Sequence, residues 1–164
     1  MAALAHASGA AVEAELGRLS GTEDGLTVED YEARLTDPAR AADFVARTGI
    51  DALAVCIGNV HGRYRGEPVL DFDRLAAITD AVEVFLVLHG ASGLPDAMVR
   101  WAIERGVCKL NVNTEVRDAY LDALREGLDR SAHPDLLDLL AHVTAAMQGV
   151  VSAKLRLFGA AGRG

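Results

Sequence analysis

The chain reads as an α/β protein built from parallel βα units. Three features carry that reading. The apolar runs Leu53–Val60 and Val84–Leu88 are short, continuous and rich in Val, Ile and Leu, as strands buried on both faces of a parallel sheet are. Stretches with helical periodicity and cap signals separate the runs. Each of the two runs also ends in His-Gly, at His61-Gly62 and His89-Gly90. In sheets of this type the working residues sit just past the strand ends.

The elements follow in order. A helical remnant over residues 1–8 precedes a strand over 12–16, and a Gly-rich polar loop is expected from Gly17 to Gly25. Pro38 near its start, apolar residues at Ala41, Ala42, Phe44 and Val45, and Gly49 as a stop predict a helix over 37–48. A strand over 52–57 and a loop over 58–68 come next. The helix expected over 71–82 carries Phe72, Leu75, Ala76 and Ile78 on one side, and a strand over 84–88 follows it. Pro95 opens a helix that Gly106 stops, and 107–112 is the fourth strand. Thr114 is expected to cap a helix reaching about residue 129, and 136–157 is the last one. Strand, loop, helix and strand at this spacing mean right-handed parallel crossovers. Four strands fit an open doubly wound sheet. They also fit half of a (β/α)8 barrel, whose typical length of about 250 residues exceeds this chain.

With 164 residues, 51% hydrophobic and 24% charged, the chain can bury a core as a single domain. A net charge of −8 with scattered arginines argues against a nucleic-acid partner. The first residues are apolar but lack a basic leader, and no run of ~18 apolar residues is evident, so a cytoplasmic protein with no membrane partner is expected. Cys56 and Cys108 fall within expected strands, where buried thiols act as small hydrophobes, and two distant cysteines do not make a disulfide framework.

Glu15, His61, His89 and the segment Asn111–Thr114 each fall at or just past a strand end. The segments VEAELG at 12–17, GTEDG at 21–25, GNVHGRYRG at 58–66, LHGASG at 88–93 and KLNVNTE at 109–115 resemble, in order and spacing, the class II zinc-dependent ketose-bisphosphate aldolases of the fructose- and tagatose-bisphosphate type. The resemblance covers essentially the whole chain. It implies the C-terminal half of a TIM (β/α)8 barrel, with about four parallel strands and flanking helices, so that residues 1–164 form a partial class II aldolase barrel domain.

The family pattern also implies roles. His61 and His89 match two of three histidines that bind the catalytic Zn2+, and Glu15 matches a carboxylate at an alternative or second metal position. Glu23 matches a mobile-loop acid that transfers a proton at the carbon that becomes nucleophilic. Gly62, then Gly90, Ala91 and Ser92, then Asn111, Val112, Asn113 and Thr114 match the cradle for the dihydroxyacetone-phosphate end of a sugar phosphate. Gly-rich turns and helix N-termini with Ser and Thr hydroxyls suit an anion. The activity implied is aldehyde-lyase cleavage of a ketose bisphosphate to dihydroxyacetone phosphate and glyceraldehyde 3-phosphate, a step of carbohydrate metabolism such as glycolysis.

Blander roles stand beside these. Glu15 reads equally as a rim charge, and Glu23 with Asp24 as a turn before Gly25. Tyr64 and Trp101 read as packing residues, and His133 and His142 as surface groups. Lys109 lies within an expected strand and could imitate a Schiff-base lysine, a reading that leaves the histidine pair unexplained.

The departures matter too. The family's upstream half barrel carries an Asp-His pair, its Asp an acid/base and its His the remaining zinc ligand, and no Asp-His dipeptide occurs in this sequence. Ala91 stands where Gly is usual, Asn113 where Asp is frequent and Arg65 where Lys is common, while Asp138-Leu139-Leu140 takes the place of an Asp-Pro-Arg that binds a second phosphate. This chain alone is therefore expected to be inactive. The alternative reading is a non-catalytic phosphate- or metal-binding half barrel or truncated gene product. A half barrel also leaves two edge strands and an inner face carrying Val55, Ile57, Val87 and Leu110 without its opposite wall, so a homo-oligomer or other self-association is expected.

Overall fold

The computed structural model describes residues 1–23, 26–28, 34–131 and 133–163, the side chains of 20–23 and 26–28 excepted. The elements are α1 (Ala2–Ala7), β1 (Glu13–Leu16), β2 (Ser20–Glu23), β3 (Leu26–Val28), α2 (Pro38–Thr48), β4 (Ala52–Val55), β5 (Val60–His61), α3 (Phe72–Ala81), β6 (Phe85–Leu88), α4 (Asp96–Glu104), β7 (Val107–Leu110), α5 (Thr114–Arg130) and α6 (Leu136–Leu157). They divide into two compact units, Met1–Asn111 and Val112–Gly164.

In the first unit β1, β4, β6 and β7 form a parallel sheet in that order. Each new strand joins the same edge. A doubly wound sheet reverses its order at a switch point, so the winding here is that of a barrel wall. The register gives each face its character. Leu16, Val55, Leu88 and Leu110 share one face with Leu53 and Leu86, whereas Glu13, Glu15, Ala52, Ala54, Phe85, Val87 and Lys109 share the other. Leu53, Val55, Leu86 and Leu88 are buried, as are Leu75, Ile78, Val99 and Ala102 of the helices. Burial stabilises by roughly 1.5–3 kcal/mol for each large aliphatic side chain, so this layer is the core.

The structure corrects several details. Val55 and Leu110 do not belong to the inner face. Val55, Ile57 and Val87 are all fully buried, and the large apolar group open on the inner face is Phe85, 66% exposed. Cys108 is not a core thiol. The register slips between Leu86 opposite Val107 and Val87 opposite Lys109, and Cys108 is the extra residue, exposed, while Cys56 is buried. The loop expected over 17–25 contains β2, and β5 interrupts the one expected over 58–68. The order β3-β2-β5 makes a second, three-stranded sheet, with β2 antiparallel to β3 and parallel to β5. Ser20-Gly21-Thr22-Glu23 lacks any apolar alternation, so its pairing comes from the neighbouring strands and left no local signal.

Helix ends follow local chemistry. The Asp37 carboxylate accepts from the Arg40 N–H at 2.9 Å with Pro38 at the first turn, and Gly49 ends α2 at φ 65°. The Asp71 carboxylate accepts from the Arg74 N–H at 2.8 Å to start α3. Thr114 is not a cap. It is the first residue of α5, preceded by Asn113, whose side chain makes no capping bond.

In the second unit α5 and α6 pack together, with Lys154 2.8 Å from Glu115 and His142 3.3 Å from Glu126. The Asp135 carboxylate caps α6 through the Leu137 and Asp138 N–H groups. By length and composition α6 is long and apolar enough to cross a bilayer, which corrects the expectation that no such stretch exists. Uncharged Thr144, Gln148, Gly149 and Ser152 interrupt the apolar run without adding charge, so no unbroken apolar stretch marks the helix.

Asp51 fastens the start of the sheet. Its Oδ2 accepts from the Val12 N–H at 2.7 Å and lies 2.8 Å from His6 Nε2. The bond to His6 first, and that from Val12 second, hold its carboxyl below the ordinary 3.8. A depressed carboxyl adds stability that is present above its unfolded value and lost as pH falls through the lower folded one. Asp51→Ala should therefore speed hydrogen exchange at the Val12 amide by roughly tenfold near neutral pH, with β4 and β6 amides unchanged. The gap between variant and wild type should close below about pH 3.8.

Candidate metal centre

The site begins with a pleat. Glu13 and Glu15 are two residues apart on β1, so both carboxylates leave the open face of the sheet. Their register partners on β4 are Ala52 and Ala54, whose single methyl groups leave the way clear toward β6. His89 directly follows β6, and its imidazole lies between the two acids. Nδ1 is 2.9 Å from Glu15 Oε2, and Nε2 is 2.9 Å from Glu13 Oε1. The hydrogen bond to Glu15 leads in raising the His89 pKa, against burial and with help from Glu13. Burial would push the Glu13 carboxyl up, but the bonds from His89 and Lys109 outweigh it and hold the carboxyl below its ordinary value. Lys109 Nζ is 2.9 Å from Glu13 Oε2 and donates to Asn111 Oδ1 at 2.7 Å.

His61 does not sit at the tip of β4. It lies on β5 opposite Gly21, because the chain breaks at Gly58, φ 107°, before pairing again. Its ring centroid is 6.2 Å from that of His89. One ligand atom each from Glu15, His61 and His89 lie within 4.8 Å of one another. Two imidazoles and a carboxylate are a known donor set for catalytic zinc, which keeps a further position for substrate. The residues therefore fit the metal. Of the two readings left open for Glu15, this geometry favours the ligand.

The loops bearing the histidines are pinned to each other. Asn59 is 1% exposed. Its Oδ1 accepts from the Ile57 N–H at 2.8 Å, and its Nδ2 donates to the Val55 carbonyl at 3.2 Å and the His89 carbonyl at 2.9 Å. The Tyr64 hydroxyl donates to the Gly90 carbonyl at 3.1 Å, and burial pushes its pKa up to about 12. Gly90 lies so close to β5 that a Cβ there would stand 1.9 Å from the Val60 carbonyl oxygen.

The expected phosphate cradle is only partly gathered. Gly62 and Gly90 have φ of 84° and 65°, and Ala91 and Ser92 are buried. The Ala91 N–H donates to the Asn111 carbonyl at 3.1 Å, and the Asn111 N–H to the Leu88 carbonyl at 3.0 Å, so these two segments meet. Val112, Asn113 and Thr114 belong to the second unit, where Thr114 is buried at the start of α5. The Glu23 side chain, with Asp24 and Gly25, lies outside the described residues. Trp101 packs edge-on against Phe72 with centroids 5.7 Å apart, a packing role as expected.

Sequence reasoning missed Glu13, Asn59 and the role of Lys109. The two-residue spacing of Glu13 and Glu15 on an otherwise apolar strand was the available signal.

Known proteins share this sequence and fold. The family model described as fructose-bisphosphate aldolase class-II matches residues 1–163. The D-tagatose-1,6-bisphosphate aldolase subunit GatY of Klebsiella oxytoca is 47% identical over 163 residues, 98% of this chain and 57% of that protein. The crystal structure of the YdjI aldolase from Escherichia coli K12 is 42% identical with a TM-score of 0.82, covering 98% of this chain and 54% of the other. A proposed fructose-1,6-bisphosphate aldolase from Coccidioides immitis is 40% identical with a TM-score of 0.88, covering 98% and 56%. The chain thus spans about half the length of these relatives.

Asn59→Ala would strand the Ile57 N–H and the Val55 and His89 carbonyls together. A buried group left without its partner costs on the order of 1–3 kcal/mol, so chemical denaturation should show a loss at or above that range. Gly90→Ala should also destabilise, because backbone at Val60 rather than a flexible side chain meets the new methyl.

Proposed function

Because the chain belongs to the class-II fructose-bisphosphate aldolase family, we propose that it supplies the metal-binding and phosphate-cradling half of a Zn2+-dependent aldolase centre. The reaction is cleavage of a ketose bisphosphate, of the fructose or tagatose series, to dihydroxyacetone phosphate and glyceraldehyde 3-phosphate. The observation that carries this reading is the convergence of Glu15, His61 and His89 within 4.8 Å.

His61 and His89 would hold the metal with Glu15. Zn2+, when bound, supplies Lewis-acid polarisation of the ketone and hydroxyl oxygens of the dihydroxyacetone-phosphate portion. The chain's own groups do the rest. By the family pattern the turn from Gly90 to Ser92 would face the phosphate, its Ala91 N–H being committed to the Asn111 carbonyl and so fixing the turn's shape, and Gly62 admits close approach beside His61. The resemblance gives Val112, Asn113 and Thr114, at the start of α5, a phosphate role as well, a helix N-terminus being suited to an anion. Glu23 would move the proton at the carbon that becomes nucleophilic. Self-association of the chain belongs to the same proposal, since β1 and β7 are edges of the parallel sheet and Phe85 stands open on its inner face.

Zinc titration tests the centre. Wild type should bind Zn2+. His61→Ala or His89→Ala should weaken binding by more than about 100-fold, because losing a ligand costs at least as much as losing the group that orients it. Equal binding by all three would remove the assignment.

Turnover is a separate expectation. The sequence holds no Asp-His pair to act as acid/base on the cleaved bond. Loss of such a group costs roughly 10²–10⁴-fold. The 164-residue chain assayed alone on fructose and tagatose bisphosphates should therefore show no family-like rate. Full turnover from a homogeneous preparation would mean that another carboxylate performs both proton transfers.

A further inference from the structure

We propose that Glu13 is a positioning residue for the metal centre: it engages His89 Nε2 so that Nδ1 is the atom presented to the metal. This rests on the Glu15–His61–His89 centre of the preceding subsection and not on its sugar-phosphate substrate.

An imidazole ligates through one nitrogen, and the bond made by the other nitrogen selects which one that is. Here the two carboxylates of β1 divide the ring between them. Glu15 faces Nδ1 at 2.9 Å and belongs to the three-residue cluster with His61. Glu13 faces Nε2 at 2.9 Å and, among the described residues, lies outside that cluster. The metal side of the ring is therefore the Glu15 side. Glu13 holds the far side, the place from which a carboxylate commonly fixes a metal-bound histidine.

Glu13 is itself held. One of its oxygens takes His89, and the other is 2.9 Å from Lys109 Nζ, which also donates to Asn111 Oδ1 at 2.7 Å. With a separate partner for each oxygen, the carboxylate plane is set from β7 while it sets the ring on β6. Ala52 and Ala54 make the span across β4 possible, since a larger side chain at either would stand in its way. This also gives Lys109 a role: its ammonium is committed to Glu13 and Asn111, not to a carbonyl carbon.

The test uses the purified chain with zinc alone, measured by competition against a chromophoric chelator, and with Co2+ for its visible spectrum. Glu13→Ala should weaken zinc binding about 10–100-fold and alter the cobalt spectrum. Glu13→Gln keeps an oxygen that accepts from Nε2–H, and should bind within about tenfold of wild type with a wild-type spectrum. Glu13→Ala binding as tightly as wild type, while His61→Ala loses zinc, would overturn the proposal and leave the metal centre standing. His61→Ala binding like wild type would overturn both. A measurement on zinc-loaded wild type needs no variant: the histidine 15N spectrum should show His89 protonated at Nε2 and metal-bound at Nδ1. The reverse tautomer would end the proposal.

Discussion

The register of β1 on β4 and of β4 on β6 decides where every group of the site falls. With a side-chain period of two, Glu13 and Glu15 must share a face with Ala52, Ala54 and Val87. A slip of one residue would turn both acids toward Leu53, Val55 and Leu86, which are at most 2% exposed. Burying two unpaired carboxylates there would cost far more than a strand pairing returns. The aliphatic core therefore does more than stabilise the sheet. It fixes which face carries charge, and the charged groups then find one another at the rim.

Magnitudes separate what holds the fold from what shapes the site. The His89 and Glu13 side chains are 20% and 30% exposed, and partly exposed ion pairs contribute about 0–1 kcal/mol. Such a pair cannot compete with a layer of buried Leu, Ile and Val side chains, each stabilising by roughly 1.5–3 kcal/mol. The Glu13–His89–Lys109 chain is consequently a poor stabiliser and a good template. Asn59 lies between these extremes. It is buried and polar, and its side chain bonds to the backbone of Ile57, Val55 and His89, so it satisfies buried polar groups and places His89 at once.

Strands packed on both faces announced themselves through unbroken Val, Ile and Leu, and helices through Asp37-Pro38, Asp71 and Gly49, so the sheet and its helices were legible. Strand order was not. Periodicity says which residues are strands but not which edge each joins; the family resemblance pointed to a barrel wall and not a doubly wound sheet, and the observed β1-β4-β6-β7 order agrees. The small sheet left no local signal because Ser20-Gly21-Thr22-Glu23 owes its conformation to β3 and β5, and the pairing of Gly21 with His61 spans 40 residues of sequence. Within the site, His61, His89 and Glu15 were readable from their positions. Glu13 was hidden because its significance lies in reaching His89, 76 residues away in sequence. Cys108 misled for a related reason, since a register slip cannot be seen in a single strand.

The approach of Gly90 to Val60, with Asn59 and Tyr64 bonded to the same turn, binds the two histidine loops into one mechanical part. Neither loop can be lengthened, shortened or reshaped while the other keeps its course. Laboratory selection for an altered substrate range that randomised residues 89–93 alone would sample mostly sequences that no longer fit against β5. A library that varied 59–64 and 89–93 jointly would explore shapes this scaffold can hold. The same coupling implies that in any natural lineage of this architecture the two segments drift as a pair, changing in step or scarcely at all.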